Sequence, residues 1–145
     1  MNRADLSAEM IDAMTKVNRR LRTVFDARVK ERGLTLARAR TLLTLIEQEG
    51  LYQKELAEVL EIENATMVRL IDGLERQAFV ERRAVEGDRR AKRIVMTDQG
   101  KLLAAEVAKL ASEVRVDLLE GVSDEELSTA LNVMRKMSDS MNKDH

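Results

Sequence analysis

Apolar residues recur at intervals of three and four positions through most of this chain, which is the periodicity of an amphipathic helix. One such run occupies residues 5–32, and two more follow one another within residues 99–141. The sequence contains no proline and only six glycines, so little interrupts long helices. These patterns predict a mostly α-helical protein with long helices at both ends.

Capping residues indicate where the individual helices begin. Thr35 caps a second helix, and a short third helix is expected over residues 53–60, with Val59 pointing inward. Asn64 is the expected N-cap of a fourth helix that continues to residue 77. Ser123 and Glu126 have the spacing of a capping box, which predicts the start of the last helix.

Residues 79–97 have a different pattern of apolar and charged residues from the rest of the chain. Apolar and β-branched residues alternate with charged ones on both sides of the glycine-containing turn "EGDRR", which predicts a β-hairpin. Two short helices followed by a hairpin are typical of a winged helix-turn-helix, here residues 51–97. The predicted fold is therefore a single domain, mostly α with a small β-hairpin. A winged helix-turn-helix core is flanked by N- and C-terminal dimerisation helices.

Several function classes are excluded by composition. The chain has no cysteine, and its one histidine is His145 at the end, so neither a thiolate nor a histidine metal site is expected. No phosphate-binding loop or carboxylate constellation is recognisable, so we expect no catalytic residues, no cofactor and no enzyme activity. No signal peptide or membrane-length apolar run is present, so we expect a cytoplasmic protein, associated with the nucleoid when bound to DNA.

Positive charge is concentrated in the middle of the chain, although the net charge is only -1. Residues 64–93 carry 8 basic and 5 acidic side chains, whereas residues 94–145 carry 6 basic and 10 acidic ones. The stretch "GDRRAKR" alone has four basic side chains in seven positions. This distribution indicates a local anionic partner rather than a generally basic protein.

The fourth helix is the expected element for reading a DNA major groove. Burial of Met67 and Ile71 would turn the face with Thr66, Arg69 and Gly73 outward. The alternative is an ordinary surface helix, which is favoured by the acidic residues on and before it. The predicted contact residues are Asn64, Ala65, Thr66, Arg69 and Arg76.

The hairpin is the expected wing, with arginines at its apex suited to a narrow minor groove and flanking cations suited to phosphates. Asp88 is expected to hold a neighbouring guanidinium in place. A solvated hairpin is the alternative, and a protein–protein adaptor that keeps the fold without binding DNA is the alternative function. The predicted wing residues are Arg82, Arg83, Asp88, Arg89, Arg90, Lys92 and Arg93.

The outer helices predict self-association. Their apolar stripes are longer than a small DNA-reading core can cover, and a homodimer would bury the excess. The two winged helix-turn-helix cores of the dimer would then lie one turn of the DNA helix apart and match a pseudo-palindromic site. The alternative is that these helices pack only on one another within a monomer.

The segments "ATMVRLIDGLE" and "DRRAKRIVMTDQG" resemble the recognition helix and wing of the MarR family of bacterial transcription regulators, especially its SlyA branch. The resemblance covers nearly the whole chain. It implies an obligate homodimer and double-stranded DNA as partner, contacted through the fourth helix and the wing.

The family resemblance also implies a small effector, a phenolic or aromatic carboxylate such as salicylate, that weakens DNA binding. Relatives often have an aromatic residue where this chain has Ala39, so the pocket here is expected to be wider or unused. A solvated or dimer-rim arginine cluster on the first helix is the alternative. The matching residues are Lys16, Arg19, Arg22, Ala39 and Met67.

Overall fold

The computed structural model describes residues 1–143, so the prediction that concerns His145 lies outside the described residues. Within them it contains six helices and one antiparallel hairpin, which confirms the predicted fold class. In chain order the elements are α1 (Arg3–Lys30), α2 (Leu36–Glu47), α3 (Gln53–Leu60), α4 (Asn64–Arg76), β1 (Val80–Val85), β2 (Asp88–Met96), α5 (Asp98–Leu118) and α6 (Asp124–Asn142).

The described residues divide into two compact units, Met1–Val114 and a second that begins at Arg115. The boundary lies inside α5, near the end of that helix. The first unit contains α1 to α4, the hairpin and most of α5, and the second contains the last turn of α5 and α6. No helix in the described part of the chain is long and apolar enough to cross a membrane.

The core of the first unit draws on almost every element. Leu42 of α2, Leu56 of α3, Ile71 of α4, Ile94 of β2 and Val107 of α5 are all fully buried in one cluster. Each such aliphatic side chain stabilises the fold by roughly 1.5–3 kcal/mol relative to an exposed position. The helix-turn-helix and the hairpin therefore share one core, which fixes the recognition helix relative to the wing.

The turn between α3 and α4 is tight because Glu61 adopts a left-handed conformation with φ of 54°. The Glu61 N–H donates to the carbonyls of Ala57 and Glu58, which ends α3. Ala57 is buried, as the close crossing of the two helices requires. Helix α4 starts one residue earlier than expected, because Glu63 is its N-cap and Asn64 is already helical.

One apolar residue expected in the core is exposed. Val59 of α3 exposes 48% of its surface. In α3 the neighbours Leu56, Ala57 and Leu60 already fill the inward face, so Val59 lies outside the arc that can be buried. The prediction that Val59 points inward is wrong.

The hairpin pairs Val80 with Met96 at its base and Ala84 with Lys92 toward its tip, where the register shifts beside Val85. Gly87 turns the chain with φ of 86°, a conformation that favours glycine. A further bridge joins Tyr52 to β2, and the Ile94 N–H donates to the Leu51 carbonyl at 2.9 Å. Residues 51–52, just before α3, therefore extend the sheet edge.

The second unit is dominated by α6, which begins at the predicted capping box. The Ser123 hydroxyl accepts from the Glu126 N–H, and the Glu126 carboxylate accepts from the Ser123 N–H, both at 3.1 Å. These bonds hold the pKa of Glu126 below its usual value. No residue of α6 is buried, although its sequence carries an apolar stripe.

Candidate nucleic-acid interface

The outward stripe of α4 consists of Ala65, Arg69, Asp72 and Arg76, spaced by four, three and four residues. All of these except the half-buried Asp72 are exposed, whereas Met67, Ile71 and Leu74 on the other side are buried. Asn64 and Thr66 flank Ala65 in the exposed first turn. At 1.5 Å per residue the stripe extends about 16 Å, which suits a helix lying along a groove.

Arg69 is the free cation of this stripe. Its side chain is exposed and makes no hydrogen bond or ion pair with any part of the chain that the structure describes. Arg76 also is exposed, and its Nε donates to the Asp72 carbonyl at 3.3 Å. Both guanidinium groups therefore keep donors available for an external acceptor.

Gly73 does not belong to the outward face, contrary to the expectation from the sequence. It is buried against the guanidinium of Arg38, which lies so close that a Cβ at this position would overlap it. Arg38 of α2 also donates from Nη1 to Oε1 of Gln77 at 2.8 Å. The absent side chain leaves room for the Arg38 side chain of α2 to pack against α4.

Arg82, predicted to bind DNA, is instead engaged within the protein. Its Nη1 lies 2.8 Å from Oδ1 of Asp72 and 3.0 Å from Oε1 of Glu75, both on α4. Its Nε donates to Gln53 at 3.1 Å and its Nη2 to the carbonyl of Val68 at 3.0 Å. Because Arg82 lies at the base of β1, it ties the hairpin to both helices rather than pointing at solvent.

Arg93 of β2 pairs with Arg83 and lies nearer the base of the hairpin than Arg89 and Arg90, and it is engaged in the same way. Its Nη1 donates to the Gly50 carbonyl at 2.8 Å and its Nη2 to the Tyr52 hydroxyl at 3.0 Å. The guanidinium carbon lies 4.6 Å from the centre of the Tyr52 ring, a cation–π geometry. Both terminal nitrogens of Arg93 therefore have acceptors within the protein.

The tip of the hairpin keeps its cations free. Arg89 and Arg90 are exposed, and neither guanidinium has an acceptor in residues 1–143. Asp88 does not hold a guanidinium as expected: its Oδ1 accepts from the Arg90 backbone N–H at 2.9 Å and so shapes the turn. Arg83 forms an exposed pair with Glu81 at 3.5 Å, and such pairs contribute roughly 0–1 kcal/mol. Lys92 is half-buried on β2 beside this tip.

The residues predicted to bind an effector are not brought together in the single chain. Ala39 and Met67 are fully buried in the core, whereas Lys16, Arg19 and Arg22 are exposed on α1. Lys16 forms an ion pair with Asp12, one turn away, at 2.8 Å. A cleft of about 210 Å³ does exist near the base of the wing, but none of these five residues lines it.

Comparison with known proteins identifies the family to which this fold belongs. Residues 34–92 match the model of the MarR family. The solved transcriptional regulator PA3341 is 34% identical, and the alignment covers 92% of this chain and 98% of that one with a TM-score of 0.83. The chain belongs to the MarR family. The prediction of a transcription regulator rather than an enzyme is thereby confirmed.

Other solved structures have the same fold at lower identity. The transcriptional regulator SlyA is 24% identical over 93% of this chain and 95% of that one, with a TM-score of 0.82. MepR from S. aureus, solved as a DNA complex, is 24% identical over 89% of this chain and 95% of its own, with a TM-score of 0.79. At this identity the likeness shows the shared fold.

Sequence reasoning missed three residues that position the interface: Tyr52, Gln53 and Arg38. A signal was present for the partners of Arg82, because Asp72 and Glu75 stand three positions apart on the helix that precedes it. From the sequence alone, these acidic side chains favour an ordinary surface helix. In the structure, Asp72 and Glu75 form ion pairs with Arg82 of β1.

Proposed function

We propose that this MarR-family protein is a homodimer that binds a pseudo-palindromic double-stranded DNA site and regulates transcription there. The observation that carries the proposal is the set of guanidinium groups of Arg69, Arg89 and Arg90, which have no acceptor among residues 1–143. They stand on the recognition helix and the wing tip, whereas Arg82 and Arg93 at the wing base are engaged. Free arginines at these two places supply donors to an external polyanion.

Helix α4 enters the major groove, which is about 12 Å wide and admits one helix. Asn64, Ala65 and Thr66 lie at its exposed N-terminal turn, the part that reaches base edges in helix-turn-helix proteins. Arg69 is suited to a bidentate contact with guanine, and Arg76 to phosphate. The same fold in MepR, solved with DNA, supports this arrangement.

The hairpin enters the minor groove through Arg89 and Arg90. A narrow minor groove concentrates negative potential, which attracts a guanidinium held at the end of a stiff element. Arg83 and Lys92 contact the neighbouring phosphates. Asp88 supports these contacts by bonding the Arg90 backbone, which fixes the turn that carries both arginines.

The dimer is proposed from the apolar surface that the single chain leaves exposed. In α1, Leu6, Ile11 and Val17 are more than half exposed, and Val29 is its one buried residue among those described. In α6, Leu131 and Met141 are 47% and 71% exposed. A second copy would cover such helices and place two recognition helices about 34–36 Å apart, matching successive half-sites.

We also propose a SlyA-like regulator of the bacterial cytoplasm, nucleoid-associated when bound, that responds to a small aromatic carboxylate such as salicylate. The exposed cations Lys16, Arg19 and Arg22 on α1 would meet the carboxylate. Ala39 and Met67 would contact the ring only where the core opens, because both are fully buried in the single chain. No metal or other cofactor is part of the proposal.

Fluorescence anisotropy tests the proposal, with duplex DNA from immediately upstream of the gene and a scrambled duplex as control, at two salt concentrations. We expect tight binding to the upstream duplex that weakens at higher salt. Added salicylate is expected to weaken it further; binding that salicylate leaves unchanged would remove the effector and keep the regulator. A chain that shows no preference for any member of a random-sequence library would contradict DNA recognition and favour the adaptor alternative.

A further inference from the structure

The outward stripe of α4 contains a carboxylate where a DNA-binding helix would be expected to avoid one. Asp72 stands between Arg69 and Arg76, and Glu75 lies beside it. In a groove lined by phosphates, an uncompensated carboxylate repels the ligand, and the repulsion strengthens as water is excluded. Something in the protein must offset these two charges if α4 is to lie against DNA.

The guanidinium of Arg82 lies between the two carboxylates. Its Nη1 is within 3.0 Å of an oxygen from each, and the second Glu75 oxygen accepts from the Arg82 backbone N–H at 3.1 Å. The Arg82 side chain is only 19% exposed, whereas those of Asp72 and Glu75 are 46% and 42% exposed. The cation is therefore held beneath the carboxylates, and the carboxylates form the outer surface.

Few donors of Arg82 remain for an external acceptor. A guanidinium has five N–H groups, and those of Arg82 reach Asp72, Glu75, Gln53 and the Val68 carbonyl. These partners belong to α3 and α4, so one side chain on β1 connects the hairpin to both helices of the helix-turn-helix. A phosphate contact would require Arg82 to break this arrangement.

We propose that Arg82 is a charge-compensating positioning residue of the DNA-binding surface. It neutralises Asp72 and Glu75 so that α4 presents Arg69 and Arg76 without an opposing charge, and it holds the wing at its place beside α4. This inference rests on the proposed function, and it replaces the predicted role of Arg82 as a direct phosphate contact. Its consequence is a strong coupling between Arg82 and Asp72 in DNA affinity.

A double-mutant cycle measures that coupling. The variants are Arg82→Gln, Asp72→Asn and the pair together, which has the net charge of the wild-type chain. We expect Arg82→Gln to weaken specific binding about 10-fold or more and the added Asp72→Asn to restore it to within about 3-fold of wild type. Asp72→Asn alone is expected to change affinity by less than about 3-fold, because its charge is already compensated.

Arg89→Gln is the matched control, since it removes the same charge from the free wing tip. In the Arg89→Gln background, Asp72→Asn is expected to restore none of the lost DNA affinity. The slope of log Kd against log salt for Arg89→Gln is expected to be about 0.9 below the wild-type slope. In Arg82→Gln the slope is expected to stay at the wild-type value. A slope that falls equally in both variants, or an equal gain from Asp72→Asn in every background, would overturn the proposal.

Melting temperatures separate charge from loss of structure. Arg82→Lys keeps the charge with a single-point ammonium, so it is expected to bind better than Arg82→Gln even where both melt below the wild type. Equal binding by the Lys and Gln variants would contradict charge compensation. A wild-type chain that does not bind duplex would overturn both proposals, and one that binds without the coupling would overturn the Arg82 proposal alone.

Discussion

The two ends of the hairpin carry the same side chain and use it in opposite ways. At the base, Arg82 and Arg93 donate to acceptors on α3, α4 and the segment before α3. At the tip, Arg89 and Arg90 have exposed guanidinium groups without acceptors in the described chain. The count of arginines in the wing therefore exceeds the count of guanidinium groups left free for an external acceptor, because Arg82 and Arg93 are engaged within the protein.

Removing the tip charges is expected to have the largest effect on binding. Arg89→Ala with Arg90→Ala should weaken binding about 100-fold on specific and scrambled duplexes alike, because both lose phosphate and minor-groove contacts. The salt slope should fall by about 1.8 and the melting temperature should not change. Anisotropy over a salt series checks this, and an unchanged affinity would show that the tip does not meet DNA.

Arg69→Ala is expected to act on selectivity rather than on overall affinity. A bidentate contact to guanine contributes roughly 1–3 kcal/mol of discrimination, so the preference for specific over scrambled duplex should fall about 10- to 100-fold. Binding to scrambled duplex should change less than about 3-fold. Competition titrations with both duplexes measure the ratio. An equal loss on the two would assign Arg69 to phosphate.

At the wing base, Arg93→Ala is expected to lower stability by about 1–2 kcal/mol, since it removes two hydrogen bonds and the cation–π contact with Tyr52. The salt slope of binding should stay at the wild-type value. Tyr52→Phe is the matched control, because it keeps the ring and loses only the hydroxyl, for a cost of about 0.5–1 kcal/mol. Urea unfolding measures both. A stable Arg93→Ala variant with a lower salt slope would move Arg93 to the DNA surface.

The smallest expected effect is a gain in stability from a substitution between α4 and the wing. Ala78 has φ of 64°, a left-handed conformation that costs an alanine about 1–2 kcal/mol. Its carbonyl accepts from the Thr97 hydroxyl, which holds the joint closed. Ala78→Gly should therefore stabilise the protein by about 0.5 kcal/mol, after allowing for the greater freedom of the unfolded glycine chain. Thermal unfolding tests this, and a destabilised variant would contradict the strain.

Local patterns in the sequence predicted the order of elements and the ends of most helices. Periodicity gave the buried face of α4, and the capping box at Ser123 gave the start of α6. Such signals depend on residues within one or two turns, so they are visible without knowing the tertiary structure. The two arginines at the tip also followed from local sequence, because a turn directs its apex away from the core.

The engaged arginines could not be predicted in the same way. Arg82 meets Gln53 across 29 positions of sequence, and Arg93 meets Gly50 across 43. Contacts between residues so far apart in the sequence leave no helical or strand periodicity from which they could be predicted. The prediction for Gly73 failed for a related reason: Gly73 is buried against Arg38, which lies on another helix. Long-range polar contacts therefore determined which members of the predicted site remain available to DNA.

Side-chain NMR of the arginine guanidinium N–H groups, the terminal Nη–H groups included, tests the contrast between base and tip most directly. In the free protein, the signals of Arg82 and Arg93 should be protected from solvent exchange, whereas those of Arg69, Arg89 and Arg90 should exchange rapidly. On addition of specific duplex, the three free arginines should shift and become protected, and the two base arginines should stay in place. Signals of Arg82 and Arg93 that move with the DNA while those of Arg89 and Arg90 remain unchanged would contradict the account.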